Sequence, residues 1–216
     1  LLTAAVYAAD VDVTSNITTD TTWTSDNVYH LSGFITVNGA ALTIEPGTVI
    51  KAAAGTGTDA TALIVSQTAT INAVGFASAP IIFTAEGDPM DGSWGPDEGS
   101  TWGGLIILGN APLNSDRNKE SWAEGATITD TVEGIPTFLS ESSRVFGGTD
   151  PEDNSGSLSY VSIRFGGSAL AEDAEINGLT LGGVGRGTQI DHIEVFANSD
   201  DSIEFFGGTV DVKYAV

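Results

Sequence analysis

The sequence has no cysteine, one methionine and only seven lysines and arginines. The first absence excludes a disulfide framework and any zinc or redox site built on thiolates. The few cations face 29 Asp and Glu residues and leave a formal charge of −22. Such a chain repels nucleic acid and anionic lipid, because binding either requires phosphates to be neutralised by Lys and Arg. A polyanionic glycan is repelled as well, unless a divalent cation bridges the two. No apolar run approaches the roughly 18 residues that a transmembrane helix needs. No Gly-x-Ser-x-Gly nucleophile elbow is present. The Gly182–Gly187 run lacks the Gly-Lys-Ser/Thr ending of a phosphate loop, and corner glycines explain it better.

What is present is a repeat. At 216 residues and 41% hydrophobic content, the chain can bury one full core. Its apolar runs are three to five residues long, rich in β-branched side chains and punctuated by the 27 glycines and by proline. That pattern suits short strands and not helices. Leu42–Ala52 aligns with Leu63–Ala73 without a gap at an offset of 21 residues, matching Leu42 with Leu63, Ile44 with Val65 and Ile50 with Ile71. Leu158–Ser162, Ile190–Glu194 and Val212–Val216 align at offsets of 32 and 22, placing Tyr160, His192 and Tyr214 on one another. Strand alternation points Val161, Ile163 and Phe165 inward and Tyr160, Ser162 and Arg164 outward. One coil later Ile193 and Val195 fall inward, and His192, Glu194 and Phe196 outward. Val161, Ile193 and Ala215 form the expected inward stack. Leu179/Leu181 and Ile203/Phe205 supply a further strand per coil. Glu45-Pro46-Gly47-Thr48 reads as a tight corner with a positive φ at Gly47.

Such units cannot bury their apolar side chains alone and must stack. The expected fold is an all-β, right-handed parallel β-helix with coils of about 21–22 residues and two or more loop insertions. The insertions run from Glu86 to Thr101 and from Asn110 to about Asp130, the second carrying Arg117 and Lys119. Insertions of this size project from one face and often hold the binding function. Residues 10–30 suit a cap or first coil. Residues 1–8 resemble the remnant of a signal peptide, with small residues permitting cleavage after Ala8. Residues 9–216 then form a single β-helix domain that stops in mid-coil at Val216, as a fragment of a longer protein would.

The segments LTIEPGTVIKA (42–52), WGGLIILGNAP (102–112), FGGTDPEDNSGSLSYVSIRFGG (146–167) and the stretch 177–216 resemble a family of large secreted or surface-attached bacterial proteins. Its members are mostly uncharacterised. The resemblance implies a β-helix of the pectin-lyase-like class and a secreted or cell-surface location. It covers about residues 20–216.

The densest polar cluster is Asn198-Ser199-Asp200-Asp201 with Asp191, His192 and Glu204. Close carboxylates share protons or bind metals, and a pair can act as general acid and base on a glycoside. Polygalacturonase-like β-helix enzymes use an acidic cluster near a histidine. This sequence lacks their Gly-His-Gly and Arg-Ile-Lys segments, so their roles are not carried over. The competing reading of Asn198–Asp201 is a solvated corner that caps backbone groups. A second acidic stretch holds Asp88, Asp91, Asp97 and Glu98. With Gly92 at the sixth place of an EF-hand loop, Glu98 falls at the twelfth, but Gly87 and Pro89 occupy the first and third places and the match fails. A looser oxygen-rich calcium site on those four acids is the remaining reading, and the Asp150–Asn154 turn is no stronger. His30 and His192 lack partners at ligand spacing and read as structural. Trp94, Trp102 and Trp122 lie in or beside the insertions, either packed beneath loops or free to stack on sugars.

Two functions follow. The first is an exported, non-catalytic β-helical domain, structural or adhesin-like, whose partner is an extracellular glycan or cell surface and whose only cofactor would be calcium. The alternative is a glycan-active lyase or hydrolase using Asp191, Asp200, Asp201 and Glu204.

Overall fold

The computed structural model describes residues 9–113, 128–172 and 174–216. The proposed signal remnant, Arg117, Lys119 and Trp122 lie outside the described residues. The chain winds as a parallel β-helix. Strand β1 (Ala9–Val13) lies beneath the first full coil of β2 (Thr21–Trp23), β3 (Asn27–Leu31) and β4 (Phe34–Val37). The next coil is β5 (Ala41–Ile44), β6 (Val49–Ala52) and β7 (Ala62–Val65), followed by β8 (Thr70–Val74), β9 (Ile81–Ala85) and β10 (Leu105–Leu108). An insertion then contributes the short antiparallel pair β11 (Asp130–Thr131) and β12 (Val145–Phe146). Winding resumes with β13 (Gly156–Arg164), a hairpin of β14 (Ala169–Ala171) and β15 (Ala174–Glu175), and β16 (Leu179–Gly182). It continues through β17 (Gln189–Phe196), β18 (Ile203–Phe206) and β19 (Val212–Ala215).

The first two sides of the coils join into one ten-stranded sheet, here sheet A. The third sides form the five-stranded sheet β18-β16-β10-β7-β4, here sheet B. Successive strands in each column are parallel and stack at about 4.8 Å. The offsets of 32 and 22 are the true register: Leu158 pairs with Ile190 and Ile190 with Val212.

The 21-residue alignment of Leu42–Ala52 with Leu63–Ala73 is not a register. Leu42 stacks on Ile71 in sheet A, whereas Leu63 lies in sheet B between Ile35 and Leu105. Both segments are strand–turn–strand units with inward apolar residues, so they look alike while occupying different sides of the coil. The true 21-residue steps run from Thr21 to Leu42 and from Val28 to Val49. Later coils are longer because loops are inserted between their sides.

Inside the coil lies a continuous core that includes Trp23, Leu31, Leu42, Ile71, Phe83, Leu105, Val161 and Ile193. Ala215 pairs with Ile193 as expected, but it is exposed at the last strand. A second apolar cluster covers the outside of sheet B. There Ile64, Ile106 and Leu108 pack against Val132, Ile135, Phe146 and Ile176. Strands β7, β10 and β16 are therefore buried on both faces, which explains their unbroken runs ALIV, LIIL and LTLG. The segment Val132–Phe146, which follows the second insertion as the sequence bounds it, is thus a cover over sheet B; most of Asn110–Asp130 itself lies outside the described residues.

Both β13 and β17 are long strands because each turns a coil corner without breaking. Tyr160 and His192 adopt φ near +50°, and Tyr214 in β19 adopts 55°. This left-handed conformation costs a non-glycine residue about 1–2 kcal/mol. It reverses the inward parity, so that Leu158 and Val161 are both buried. The rings stack in return: Tyr160 to His192 at 4.3 Å and His192 to Tyr214 at 4.6 Å between centroids. At the start of β13, Gly156 has φ +115°, and a Cβ there would lie 2.0 Å from the Ile71 carbonyl oxygen. Only glycine lets the coils approach so closely.

Candidate functional site

The outer face of sheet A carries His30, Lys51 and Arg164 in a row. Register aligns Asp12, His30, Lys51 and Thr84 across successive strands, and Arg164 faces Phe196 further along the helix. These side chains point outward because Leu31, Ile50, Phe83 and Ile163 alternate with them and fill the core. The acidic insertion Glu86–Thr101 folds over this row. His30 bonds Glu86 at 2.8 Å through Nδ1 and Asp10 at 3.0 Å through Nε2. Lys51 Nζ donates to the Asp88 carbonyl at 2.8 Å. At the far end, the amides of Ser100 and Thr101 donate to the carbonyls of Gly166 and Phe165. The loop is therefore fastened to sheet A at both ends.

Between loop and sheet lies a cavity of about 300 Å³, lined by Asp88, Met90, Gly92, Trp94, Arg164, Phe165, Glu194 and Phe196. Phe165 forms its base and packs edge-on against Trp94 at 5.1 Å and Phe196 at 5.7 Å. Arg164 Nε donates to Ser162 Oγ at 2.7 Å, and Nη2 to Glu194 Oε2 at 3.2 Å. Ser162 Oγ also donates to Glu194 Oε2. The cavity thus joins aromatic walls to an ordered guanidinium–carboxylate pair.

The four proposed calcium ligands do not converge. Asp88 is buried, accepting from Thr84 Oγ1 at 2.6 Å and from the Met90 amide at 2.8 Å. Asp91 accepts from the Ser93 amide, and Glu98 from the Gly95 amide at 2.7 Å. The bonds from Ser93 hold the Asp91 carboxyl below its ordinary pKa. Asp97 is exposed at the surface of the loop. Each engaged carboxylate caps its own turn. Among the described residues, no group of three or more acidic or histidine side chains is arranged to hold a metal ion.

The four acids of the enzymatic reading do not share one site: Asp191 is in sheet A, Glu204 in sheet B, and Asp200 and Asp201 in the turn between β17 and β18. Asp191 lies in sheet A, where its Oδ1 accepts from Ser159 Oγ at 2.5 Å and lies 2.7 Å from His192 Nδ1. The bonds from His192 and then Ser159 hold its pKa low. Glu204 lies in sheet B and accepts from Asn177 Nδ2. It shares a cleft of about 110 Å³ with Asp200, Glu133 and Glu175. Burial raises its pKa, with the charges of Asp201, Asp200 and Glu133 adding to the effect and the Asn177 bond opposing it. Asp201 lies in the turn before β18, its carbonyl accepting from Gly178 N and Asn198 Nδ2. Asn198 therefore caps the corner, as one sequence reading held. His192 stands in the ring ladder, and His30 ties the loop. Trp102 is fully buried, its Nε1 donating to the Arg164 carbonyl at 2.7 Å.

Sequence reasoning did not single out Arg164, Glu194 or Phe196 as a site. The signal was available in the 32-residue offset, which sets Ser162 opposite Glu194 and Arg164 opposite Phe196 on the outward parity.

Residues 15–216 match the family model described as a pectate-lyase like beta helix domain. No curated protein and no solved structure matches the chain. No helix among the described residues is long and apolar enough to cross a membrane.

Proposed function

The chain belongs to the pectate-lyase like beta helix domain family, and from that premise we propose that it is an exported, non-catalytic β-helical domain that presents a glycan-binding surface outside the cell. The observation that carries this reading is the division of the acids. A glycosidase needs two carboxyl groups facing one another across a bond, about 5–9.5 Å apart. Here Asp191 is engaged with Ser159 and His192 on sheet A, and the carboxyls that do meet, those of Glu204, Asp200, Glu133 and Glu175, share a cleft of only about 110 Å³ beside sheet B, below the roughly 300 Å³ at which small-molecule sites begin. The strongly acidic composition suits a solvated exterior domain.

The test is incubation of the protein with neutral and acidic polysaccharides, with and without calcium. Reducing ends and the ultraviolet absorbance of unsaturated uronides are then measured. Binding without cleavage is the expected result. Cleavage that disappears in Asp191→Ala, Asp200→Ala or Glu204→Ala would overturn the proposal in favour of a glycan-active enzyme.

A further inference from the structure

We propose that the cavity beneath the Glu86–Thr101 loop is a binding site for a single neutral pyranose unit, carried at the end or on a branch of a glycan. This rests on reading the domain as a binding surface and says where on it the ligand sits.

Three features select that ligand. The first is size. About 300 Å³ is the floor of the range for small-molecule sites, roughly 300–1,000 Å³, and suits one ring rather than an extended chain. The second is amphipathic lining. Trp94 and Phe196 pack nearly perpendicular to Phe165, at 80° and 82°. Phe196 is 39% exposed and Met90 37%, so apolar surface at the cavity is left in contact with water. The C–H face of a pyranose covers such surface without requiring hydrogen bonds from it.

The third is an unused donor and acceptor. Arg164 spends Nε on Ser162 and Nη2 on Glu194, and Glu194 accepts both of its bonds at Oε2. Among the described residues, nothing bonds Arg164 Nη1 or Glu194 Oε1. A guanidinium nitrogen beside a carboxylate oxygen suits adjacent hydroxyls, since each hydroxyl both donates and accepts. The Arg164–Ser162–Glu194 bonds hold both groups in place before binding, which lowers the ordering cost.

Charge excludes the acidic sugars. Among the described residues the one cation that lines the cavity, Arg164, is already paired with Glu194, Asp88 and Glu194 also line it, and the chain carries −22 overall. A uronate would bring another negative charge into this field.

The experiment is isothermal titration and saturation-transfer NMR with methyl glycosides of glucose, galactose and mannose, and with galacturonate oligomers. It compares the wild type with Phe196→Ala and Glu194→Gln, each checked by melting curve. Phe196 is partly exposed, and Gln keeps an acceptor for Arg164, so at least one variant should fold. At least one neutral glycoside should bind, with an affinity near 1 mM or tighter. Each variant should weaken it about tenfold. The site is overturned if no neutral glycoside binds, if both folded variants bind as the wild type does, or if galacturonate binds more tightly. Cleavage of a bound glycoside would leave the site standing and overturn the non-catalytic function instead.

Discussion

His30 shows how one side chain can fasten separate parts of a coil. It sits between Asp10 of β1 and Glu86 of the loop. Lys51, Asp12, Thr84 and Asp88 surround this junction on the neighbouring strands and loop. Burial alone lowers the imidazole pKa, but the bonds and charges of Glu86 and Asp10 outweigh it and raise the value above 6.5. The stabilisation is fully present below 6.5 and is lost as pH rises through the higher folded value. The melting temperature of the wild type should therefore exceed that of His30→Gln at about pH 5, with the gap narrowing as pH rises above 6.5 through the folded value. A gap that is constant with pH would rule out a protonated bridge. Glu204 behaves in the opposite sense to an ion-paired acid. Its folded pKa lies above 4.5 because burial and neighbouring acids disfavour the charge. Its ionisation costs stability as pH rises from 4.5 through the folded value. Glu204→Gln should then melt above the wild type at pH 7 and lose that advantage near pH 4. Equal melting at pH 7 would refute this.

At the scale of elements, the Glu86–Thr101 loop and the Val132–Phe146 segment do different work. The Glu86–Thr101 loop is held by Lys51, His30 and the Phe165–Gly166 carbonyls, with its own acids capping its turns. Calcium should add nothing to this arrangement. The melting curve should be the same in EDTA and in millimolar calcium, and a clear rise with calcium would show that the loop acids gather around the ion. The Val132–Phe146 segment is held by apolar contact. Phe146 is 2% exposed and packs with Ile64, Ile106 and Leu108 outside sheet B. Phe146→Ala should cost about 3–5 kcal/mol in denaturant unfolding. A loss below about 1 kcal/mol would mean that this cover is loosely packed and free to act as a separate module.

Over the whole molecule, charge opposes compaction. With 29 acidic residues against seven basic ones, the repulsion is spread along the coil rather than confined to one pair. Raising salt from about 20 to about 500 mM shortens the screening length severalfold. The melting temperature should rise over this range, although His30 and Arg164 lose some of their ion-pair energy. A fall would show that those pairs outweigh the repulsion. The scaffold itself is one continuous core, so its coils support one another as stacked repeats do.

The sequence by itself determined the parallel β-helix. Short β-branched runs, glycine corners and the 32- and 22-residue offsets leave no other way to bury Leu158, Val161, Ile190 and Ile193. It also determined the ring ladder, because Tyr160, His192 and Tyr214 hold equivalent places in successive repeats. It misled at Leu42 and Leu63, since side-chain periodicity is the same on every side of a coil and cannot say which side a strand occupies. Only the tertiary structure decided how the chemistry is grouped. Asp191 and Glu204 are 13 positions apart in sequence yet lie on different sheets, while Arg164 and Glu194, 30 apart, meet. The physical reason is that a coil returns to the same face only after a full turn. Neighbours along the chain are therefore sent to different walls, and neighbours in space come from successive turns.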